Sequence, residues 1–449
     1  MSNPSNTSNP PTHKNAPSSP LPIVIAGGGC VGLFLALLLT QSAIPNPILV
    51  IEPHAPSPNE TRAMAHQPPI FPLFAKAGLM PELQSLGTMS TGICFRKSVR
   101  YGSELIAGKK FGEGEVGQLL LPQWKFQECL VRRVRQGKGE VRVGWRVVGF
   151  VDHSSCSPDP QSVTVTIQSS SGQEEAIEAA YLIGADGGRS TIRTLLSIPF
   201  DGETLDSQLV ATDIRFPFDK HGFYDANFVI DDQEYGLISK IDDDGLWRVS
   251  YGVPGEMSHE EIVRTVREKL DRKVPGKEKG YEVVRVAPYR AQQRCAETFW
   301  RGRVGLVGDA AHLTNPYAGL GLASGIADAH DLALVLARIL SSPSSPSLNS
   351  STSSTTSNPS HPSSPSAKTL LNSWSSARRQ KFLTVVDAPS RAAFIRVRSD
   401  VSTDEKLKEF LERDPLVRAL RGGMPMPIGR GPGVGLSVDV EGLDGWGSL

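Results

Sequence analysis

Hydrophobic positions fall into short continuous runs followed by glycines, and the first run along the chain gives the clearest pattern. Residues 23–26 are all apolar, residues 27–29 are three consecutive glycines, and residues 30–40 are again almost wholly apolar. A short apolar run is typical of a buried strand, and a longer run after a glycine turn is typical of a helix. We therefore predict a strand over 23–26, a tight turn and a helix over 30–40. A second buried strand is predicted over 47–53.

Strand and helix patterns continue along the chain. Strict alternation over 162–169 predicts a half-exposed strand, and apolar residues at helical spacing predict a helix that opens at Gln123. A buried strand running into a turn and a helix is predicted over 179–193. Residues 234–241 and 246–253 are joined by the sequence DDDG and predict a hairpin.

The order of these patterns suggests a division of the chain into segments. The proposed segments are a disordered N-terminus (1–20), the first part of a cofactor domain (21–100), a mixed region (101–180), a second cofactor segment (181–200), a β-sheet domain (201–300), a third cofactor segment with its helix (301–340), a Ser/Pro-rich linker (341–368), a C-terminal helical region (369–421) and an irregular tail (422–449).

Composition excludes several classes of protein. The 47 basic and 47 acidic residues balance, which argues against a nucleic-acid binder. The five cysteines are widely spaced and form no CxxC pair, which indicates a reducing compartment without a structural zinc site or a redox disulfide. Residues 21–39 are long and apolar enough to suggest a membrane span, but their three consecutive glycines favour the strand, turn and helix. We expect a cytoplasmic protein with no transmembrane segment and no metal ion, and the oligomeric state is left open.

The glycine turn after the first strand fits the pattern GxGxxG. Gly27, Gly29 and Gly32 would allow a tight turn, close approach of a pyrophosphate and close packing of helix on strand. Glu52 closes the second strand, where an acid can accept hydrogen bonds from ribose hydroxyls. Residues 112–117 also fit GxGxxG, but they carry two glutamates and follow no buried strand, so we interpret them as a loop. The first motif predicts a dinucleotide without saying which one.

A third glycine-rich segment follows a buried strand predicted over 303–309, which ends at Asp309. Such a carboxylate would lie at the carboxyl edge of a sheet, where open α/β sheets bind ligands. The residues from Gly319 to Leu322 bring bare backbone to the start of a helix, whose N–H groups could stabilise negative charge on a reduced flavin. The alternative is an ordinary glycine-rich helix start with a capping aspartate.

Three segments occur in the same order as in a known family: IVIAGGGCVG with Glu52, then YLIGADGGRSTIR, then GLVGDAAHLTNPYAGLG. The chain resembles the FAD-dependent aromatic monooxygenases of the para-hydroxybenzoate hydroxylase type, the group A flavoprotein hydroxylases, and looks closest to fungal secondary-metabolism members. The resemblance implies an α/β fold in which a Rossmann-like, glutathione-reductase-like FAD-binding domain is interleaved with a β-sheet substrate domain and followed by C-terminal helices. One departure is Ala323 and Ser324, in a region where bacterial relatives often have an asparagine.

The resemblance also implies roles for residues toward FAD. The three motif glycines would hold the pyrophosphate, Glu52 the adenosine ribose, and Asp309 the ribityl or ribose hydroxyls. Gly321 and Leu322 would offer backbone N–H groups to the flavin pyrimidine edge.

Three further positions match cofactor-contacting residues of the family. Arg62 and Gln123 match positions that touch FAD; the alternatives are a loop salt bridge for Arg62 and a helix cap for Gln123. Asp186 matches a motif implicated in binding both FAD and NAD(P)H.

The implied activity is hydroxylation of a phenolic, aromatic or polyketide-like small molecule. NAD(P)H would reduce the flavin, and O2 would then form a C4a-hydroperoxide that transfers its distal oxygen to the substrate. Alternatives within the fold are epoxidation, Baeyer–Villiger insertion and oxidase chemistry. A nicotinamide-only dehydrogenase and a flavin-binding protein without turnover are alternatives of other classes.

Catalytic side chains are less well defined by the sequence. Arg193 and Tyr224 lie near positions that bind and orient phenolate in fungal relatives, and a cation there would favour the phenolate. The alternatives are a helix-start salt bridge for Arg193 and a packed aromatic for Tyr224. His66, His312 and Gln292 are further candidates. His312 is expected to be a packing residue near the flavin loop, the glycine-rich segment between Asp309 and Leu322.

Overall fold

The computed structural model describes residues 19–58, 65–154, 162–276, 280–341, 366–423 and 435–440. Arg62 and Cys156 lie outside the described residues, as do residues 1–18, most of the Ser/Pro-rich segment and most of the C-terminal tail. The predictions made for those residues are therefore not addressed by the structure.

The strands are as follows: β1 (Ile23–Ala26), β2 (Ile48–Glu52), β3 (Ala65–His66), β4 (Thr88–Met89), β5 (Gly92–Lys97), β6 (Leu105–Lys110), β7 (Leu119–Leu120), β8 (Glu140–Val143), β9 (Trp145–Asp152), β10 (Val163–Ser169), β11 (Glu174–Ala179), β12 (Tyr181–Gly184), β13 (Phe200–Arg215), β14 (Ala226–Ile230), β15 (Gly236–Lys240), β16 (Leu246–Pro254), β17 (Glu282–Ala296), β18 (Trp300–Arg301), β19 (Val304–Leu306) and β20 (His312–Leu313).

The α-helices are α1 (Cys30–Gln41), α2 (Phe71–Lys76), α3 (Met80–Leu86), α4 (Gln123–Gln136), α5 (Thr191–Leu195), α6 (His259–Asp271), α7 (Gly321–Ser341), α8 (Ala367–Lys381), α9 (Ala388–Val397), α10 (Asp404–Arg413) and α11 (Pro415–Arg421). A π-helical turn over Phe382–Asp387 joins α8 to α9.

A six-stranded sheet carries the glycine motifs, in the order β18-β19-β12-β1-β2-β8. Its inner strands run parallel, with β1 between β2 and β12, and β12 next to β19. Strand β1 is buried at every position because helices pack against the sheet, which explains its uninterrupted apolar sequence. The predicted strand, turn and helix at the start of the chain are confirmed, as is the Rossmann-like character of this sheet.

An eight-stranded sheet forms the second layer of the molecule, in the order β20-β17-β13-β16-β15-β14-β5-β6. The predicted hairpin is confirmed, since β15 and β16 pair antiparallel. Strand β5 at residues 92–97 also belongs to this sheet, although it precedes the mixed region in sequence. The period-two strand predicted over 162–169 is confirmed as β10, in a separate three-stranded sheet with β9 and β11.

The two faces of the eight-stranded sheet have different neighbours. On the outer face, apolar side chains of β13 and β16 pack against Ile262, Val266 and Leu270 of α6. On the inner face, Leu209 and Ala291 pack with Tyr317 of the third glycine segment and with side chains of α9. The inner face therefore lies against the segment that the sequence assigned to the flavin.

One predicted strand is shorter than expected. Strand β19 ends at Leu306, and Asp309 lies in a 3-10 turn over Gly308–Ala310. The strand ends there because Gly308 has a φ of +61°, a left-handed conformation that breaks the extended backbone. The loop interpretation of residues 112–117 is confirmed. In the described part of the chain, no helix is both long and apolar enough to cross a membrane.

Candidate cofactor site

The three glycines of the first motif do different physical work. Gly27 has a φ of +110°, and a Cβ there would overlap the carbonyl oxygen of Ala185. A Cβ at Gly32 would overlap the Gly27 carbonyl and lie 3.0 Å from the Ala185 Cβ. These two glycines are therefore required for packing β1, α1 and the second motif together.

Gly29 is the glycine with free space around it. No heavy atom beyond its chain neighbours lies within 4 Å of the position its Cβ would take. Gly29 is also the N-cap residue of α1, and within the described residues no side-chain hydrogen bond caps the start of that helix. Unpaired donors and the positive end of the helix dipole favour a diphosphate at this position.

Glu52 lies directly beside the glycine turn. Its Oε2 accepts from the Gly28 N–H at 2.5 Å, and its Oε1 accepts from the His54 N–H at 3.0 Å. The carboxylate is therefore fixed at the end of β2 next to the turn, where the ribose assignment expects it.

Helix α4 contributes a residue that the sequence did not single out. Gln127 donates from Nε2 to the Gly28 carbonyl at 3.2 Å. Gln123 begins α4 as predicted, and its role toward the cofactor stays a prediction. Gln127 is one helical turn beyond Gln123, so the spacing i, i+4 was the available signal.

Asp186 caps the helix that follows it. Its Oδ1 accepts from the Ser190 hydroxyl at 2.5 Å, and its Oδ2 accepts from the N–H groups of Thr191 at 2.7 Å and Ile192 at 3.2 Å. These bonds order the turn of the second motif itself. The Ala185 N–H joins this motif to the first one by donating to the Ala26 carbonyl at 2.7 Å. Contact of Asp186 with a cofactor stays a prediction.

The third motif lies against the start of α1. Burial raises the pKa of the Cys30 thiol to about 12, and the nearby Asp309 carboxylate adds to that rise. A Cβ at Gly308 or at Gly325 would contact the side chain of Val31. Asp309 is exposed and stands beside the glycine turn, so the structure brings all three motifs together.

The backbone segment expected at the flavin ring begins α7, with Gly321 as its first residue. Gly319 has a φ of +66°, and a Cβ there would overlap the Gln67 amide group. Gly321 and Leu322 are half-buried at the helix start, which leaves their N–H groups at the positive end of the α7 dipole. Their contact with the flavin stays a prediction.

Arg193 joins the second and third motifs. Its guanidinium donates to the carbonyls of Ala310 and Gly188, both at 2.8 Å, and stacks 3.7 Å above the Phe200 ring. Burial lowers the pKa of Arg193, and Asp186 partly offsets that effect. These contacts give Arg193 a positioning role between the two motifs and differ from the helix-start salt bridge that was the alternative, while a contact with the phenolate stays a prediction.

Tyr224 lies just before β14 of the eight-stranded sheet. Its ring contacts Gly92 and Gly108, with the Lys110 Nζ 5.6 Å from the ring centroid. Its backbone is held by Asn227, which accepts from the Tyr224 N–H at 2.9 Å and donates to the Tyr224 carbonyl at 2.5 Å. The geometry matches the packed-aromatic alternative, and a catalytic role for Tyr224 stays a prediction.

The two histidine candidates are buried. His66 lies between the rings of Phe74 and Phe126, with centroid distances of 5.8 and 4.9 Å, and burial lowers its pKa to about 4. His312 bonds through Nε2 to Asp328 at 2.7 Å and stacks on Phe382 at 4.3 Å. Packing near the flavin loop is what we expected of His312.

The glutamine that organises the flavin loop is Gln293, one residue after the candidate Gln292. The Gln293 Oε1 accepts from the Asn315 N–H at 2.5 Å and from the Thr314 hydroxyl at 3.1 Å. Its Nε2 donates to Asp387 at 2.9 Å. Because side chains alternate along β17, Gln292 points to the opposite face of the strand.

A cluster of buried charged side chains packs against the same loop. Arg378 is fully buried and donates to Asp328 at 2.8 Å and to Asp331 at 3.4 Å. The second oxygen of Asp328 accepts from the Gly308 N–H at 3.0 Å and pairs with His312. The sequence feature that could have indicated this cluster is the pair of aspartates within the otherwise apolar pattern of α7.

A sequence profile described as the FAD binding domain matches residues 21–358, which is more than half of the chain. The chain belongs to this FAD-binding family. It is 36% identical over 331 residues to para-nitrophenol 4-monooxygenase of Pseudomonas sp. strain WBC-3, covering 71% of this chain and 78% of that protein. It is 34% identical over 328 residues to 6-hydroxy-3-succinoylpyridine 3-monooxygenase of Pseudomonas putida, covering 71% and 79%.

Solved structures agree with the family assignment. The p-nitrophenol 4-monooxygenase of another Pseudomonas putida strain superposes with a TM-score of 0.76 at 30% identity, covering 90% of this chain and 96% of that one. Aklavinone-11 hydroxylase in complex with FAD and aklavinone has a TM-score of 0.70 at 22% identity, covering 86% and 71%, which shows the shared fold. The protein is an FAD-dependent aromatic monooxygenase, as the resemblance implied. Closeness to fungal members stays a prediction, because the relatives named above are bacterial.

The residues of the site fit FAD. The open space at Gly29, the uncapped start of α1 and the fixed carboxylate of Glu52 supply room, donors and acceptors for a dinucleotide. NAD(P)H is the co-substrate, as is typical of the family.

Proposed function

We propose that the protein hydroxylates a small phenol or hydroxypyridine. The observation that carries the proposal is the convergence of the three motifs around the open glycine at Gly29, in a chain 36% identical to a para-nitrophenol monooxygenase. The two relatives that are 36% and 34% identical to this chain act on one-ring substrates according to their names.

The substrate position follows from the two layers of the molecule. The inner face of the eight-stranded sheet packs on residues 314–318 through Gln293 and Tyr317. We propose that the aromatic ring lies between this sheet face and the start of α7. Buried apolar surroundings exclude water there, which protects an oxygen-transfer reaction from side reactions.

A buried charged pair lies on the same face of the sheet. Asp213 and Arg248 are cross-strand partners, with Nε to Oδ1 at 2.7 Å and Nη2 to Oδ2 at 3.0 Å. Because Asp213 and Leu209 are four residues apart on β13, both side chains project from the inner face. We propose that Arg248 favours the ionised form of a phenol, since a nearby cation lowers a phenol pKa.

The chain's own residues have three tasks in this mechanism. The N–H groups at Gly29 hold the diphosphate, and Glu52 holds the adenosine ribose. Arg193 holds the second and third motifs together. FAD, when bound, supplies the chemistry that uses two electrons from NAD(P)H to place one atom of O2 in the product and the other in water. We also propose a cytoplasmic location, because NAD(P)H is available there.

The test is NAD(P)H oxidation under 18O2 by the FAD-loaded protein, with one-ring phenols and hydroxypyridines as a panel. The expected result is a product heavier by one 18O atom. NAD(P)H oxidation that leaves 18O in hydrogen peroxide and in no organic product would contradict hydroxylation and favour the oxidase alternative.

Arg248→Lys is a sharper test of the substrate position. Lysine keeps the charge but loses the bidentate geometry, so we expect KM for the phenol to rise about 10-fold while FAD stays bound. The exposed Arg215 is at the end of the same sheet, and Arg215→Lys should leave KM unchanged. Equal KM values for all three proteins would place the substrate elsewhere.

A further inference from the structure

A narrow cavity lies on the outer face of the eight-stranded sheet, near the end of α6. It has a volume of about 10 Å³, and its wall includes Arg96, Lys97, Val229, Ile238, Arg272 and Lys273. Val229 and Ile238 belong to the cluster that packs against α6. The cavity is therefore on the face opposite the flavin loop, and nothing in the proposed mechanism uses it.

Arg96 is the most unusual residue of this cavity. Only 4% of its surface is exposed, and its guanidinium lies 3.7 Å above the centre of the Phe223 ring. Nη2 donates to the Gly222 carbonyl at 3.1 Å. Nε and Nη1 are buried and have no hydrogen-bond partner among the described residues. A buried guanidinium with two unused donors is costly unless another group accepts from it.

The other cations around the cavity have carboxylate partners. Lys273 pairs with Glu234 at 2.8 Å, and Lys97 pairs with Glu104 at 3.0 Å. Arg272 pairs with Glu268 at 2.5 Å. Within the described residues, no carboxylate pairs with Arg96. The cavity wall therefore carries a positive charge that the described protein groups leave uncompensated.

We propose that this cavity binds a small monovalent anion of the size of chloride, held by the free Nε–H and Nη1–H groups of Arg96. A cavity of about 10 Å³ admits a single small particle and excludes phosphate or an aromatic substrate. A water molecule would satisfy the donors but leave the buried charge uncompensated, whereas an anion does both. The anion would stabilise the end of β5 against the loop before β14.

The first test measures the melting temperature of the FAD-loaded protein in sodium chloride and in sodium gluconate at equal ionic strength. Gluconate is too large for the cavity, so it serves as the control for ionic strength. We expect chloride to raise Tm by about 2–4 °C with a saturable dose dependence. No difference between the two salts would overturn the proposal.

Matched variants assign the effect to the cavity. In Arg96→Met the chloride-dependent shift should disappear, whereas Arg100→Met, four residues away and exposed, should keep it. A full chloride shift in Arg96→Met would show that the ion binds elsewhere and would overturn the proposal.

A second measurement does not depend on the variant folding. Crystals of the wild-type protein grown in sodium bromide should give an anomalous peak within hydrogen-bond distance of the Arg96 guanidinium. A cavity occupied by water alone, with no anomalous signal, would refute the anion site.

Discussion

An added methyl group would have different surroundings at each glycine of the first motif. The variant Gly29→Ala tests what that difference means for FAD binding. Nothing lies within 4 Å of the Cβ position at Gly29, and its φ of −68° suits any L residue. We expect the variant without FAD to unfold with a free energy within about 1 kcal/mol of the wild type. FAD should bind more weakly, because the methyl group occupies the space through which the diphosphate reaches the N–H groups. Losing one charge-assisted hydrogen bond costs about 1.5–3 kcal/mol, or about 10- to 150-fold in Kd.

Gly32→Ala is the matched comparison within the same motif. Its methyl group would overlap the Gly27 carbonyl and lie 3.0 Å from the Ala185 Cβ, so β1, α1 and the second motif must separate. We expect a loss of about 3 kcal/mol of stability with or without FAD.

The assay pairs urea unfolding of the apo forms with a fluorescence titration of FAD. If Gly29→Ala binds FAD as tightly as the wild type, the diphosphate does not lie at Gly29. If its apo form is as unstable as Gly32→Ala, the space around Gly29 is not open.

Three further predictions concern buried polar groups around the site. Arg193→Met should lower stability by about 2–4 kcal/mol, since the buried Ala310 carbonyl and the half-buried Gly188 carbonyl lose their donor, whereas the exposed Arg189→Met should not. Normal stability with a large loss of kcat would instead support the catalytic role. Burial lowers the pKa of His66 to about 4 in the folded protein, against 6.5 in the unfolded chain. The unfolded chain therefore binds the proton more readily, and the free energy of unfolding should rise by about 3 kcal/mol from pH 4 to 6.5. His66→Leu should flatten that rise in urea unfolding, and an unchanged slope would contradict the assignment. Burial acts to raise the pKa of Asp328, but His312 and Arg378 outweigh it and hold the pKa below its usual 3.8. Its stabilisation should be complete above that pH and lost as the pH falls below it. Asp328→Asn should cost about 3–5 kcal/mol at neutral pH, because it removes the carboxylate that pairs with Arg378 at 2.8 Å and leaves only the longer contact to Asp331. A loss under 1 kcal/mol would show that Arg378 does not depend on this partner.

Local pattern was sufficient for the part of the site built from consecutive residues. The run of apolar residues before Gly27 and after Gly29 defines β1, the turn and α1 without reference to the rest of the chain. Glu52 was predictable for the same reason, since it ends the next buried strand.

Contacts between distant segments were not predictable from such patterns. Gln127 reaches Gly28 across 99 residues, and Arg193 reaches Ala310 across 117. These contacts depend on how α4 and α5 pack on the parallel sheet. No local periodicity in a single sequence predicts that packing. The choice between Gln292 and Gln293 depends on the register of β17, and a shift of one residue exchanges the two faces.

The central claim is that this chain binds FAD through the three motifs, and the most direct test is the absorbance spectrum of freshly purified, unsupplemented protein between about 300 and 550 nm. We predict the two absorption bands of an oxidised flavin, released as FAD on denaturation and much reduced in Gly29→Ala. A wild-type protein that is colourless, and stays colourless after incubation with FAD, would contradict the account.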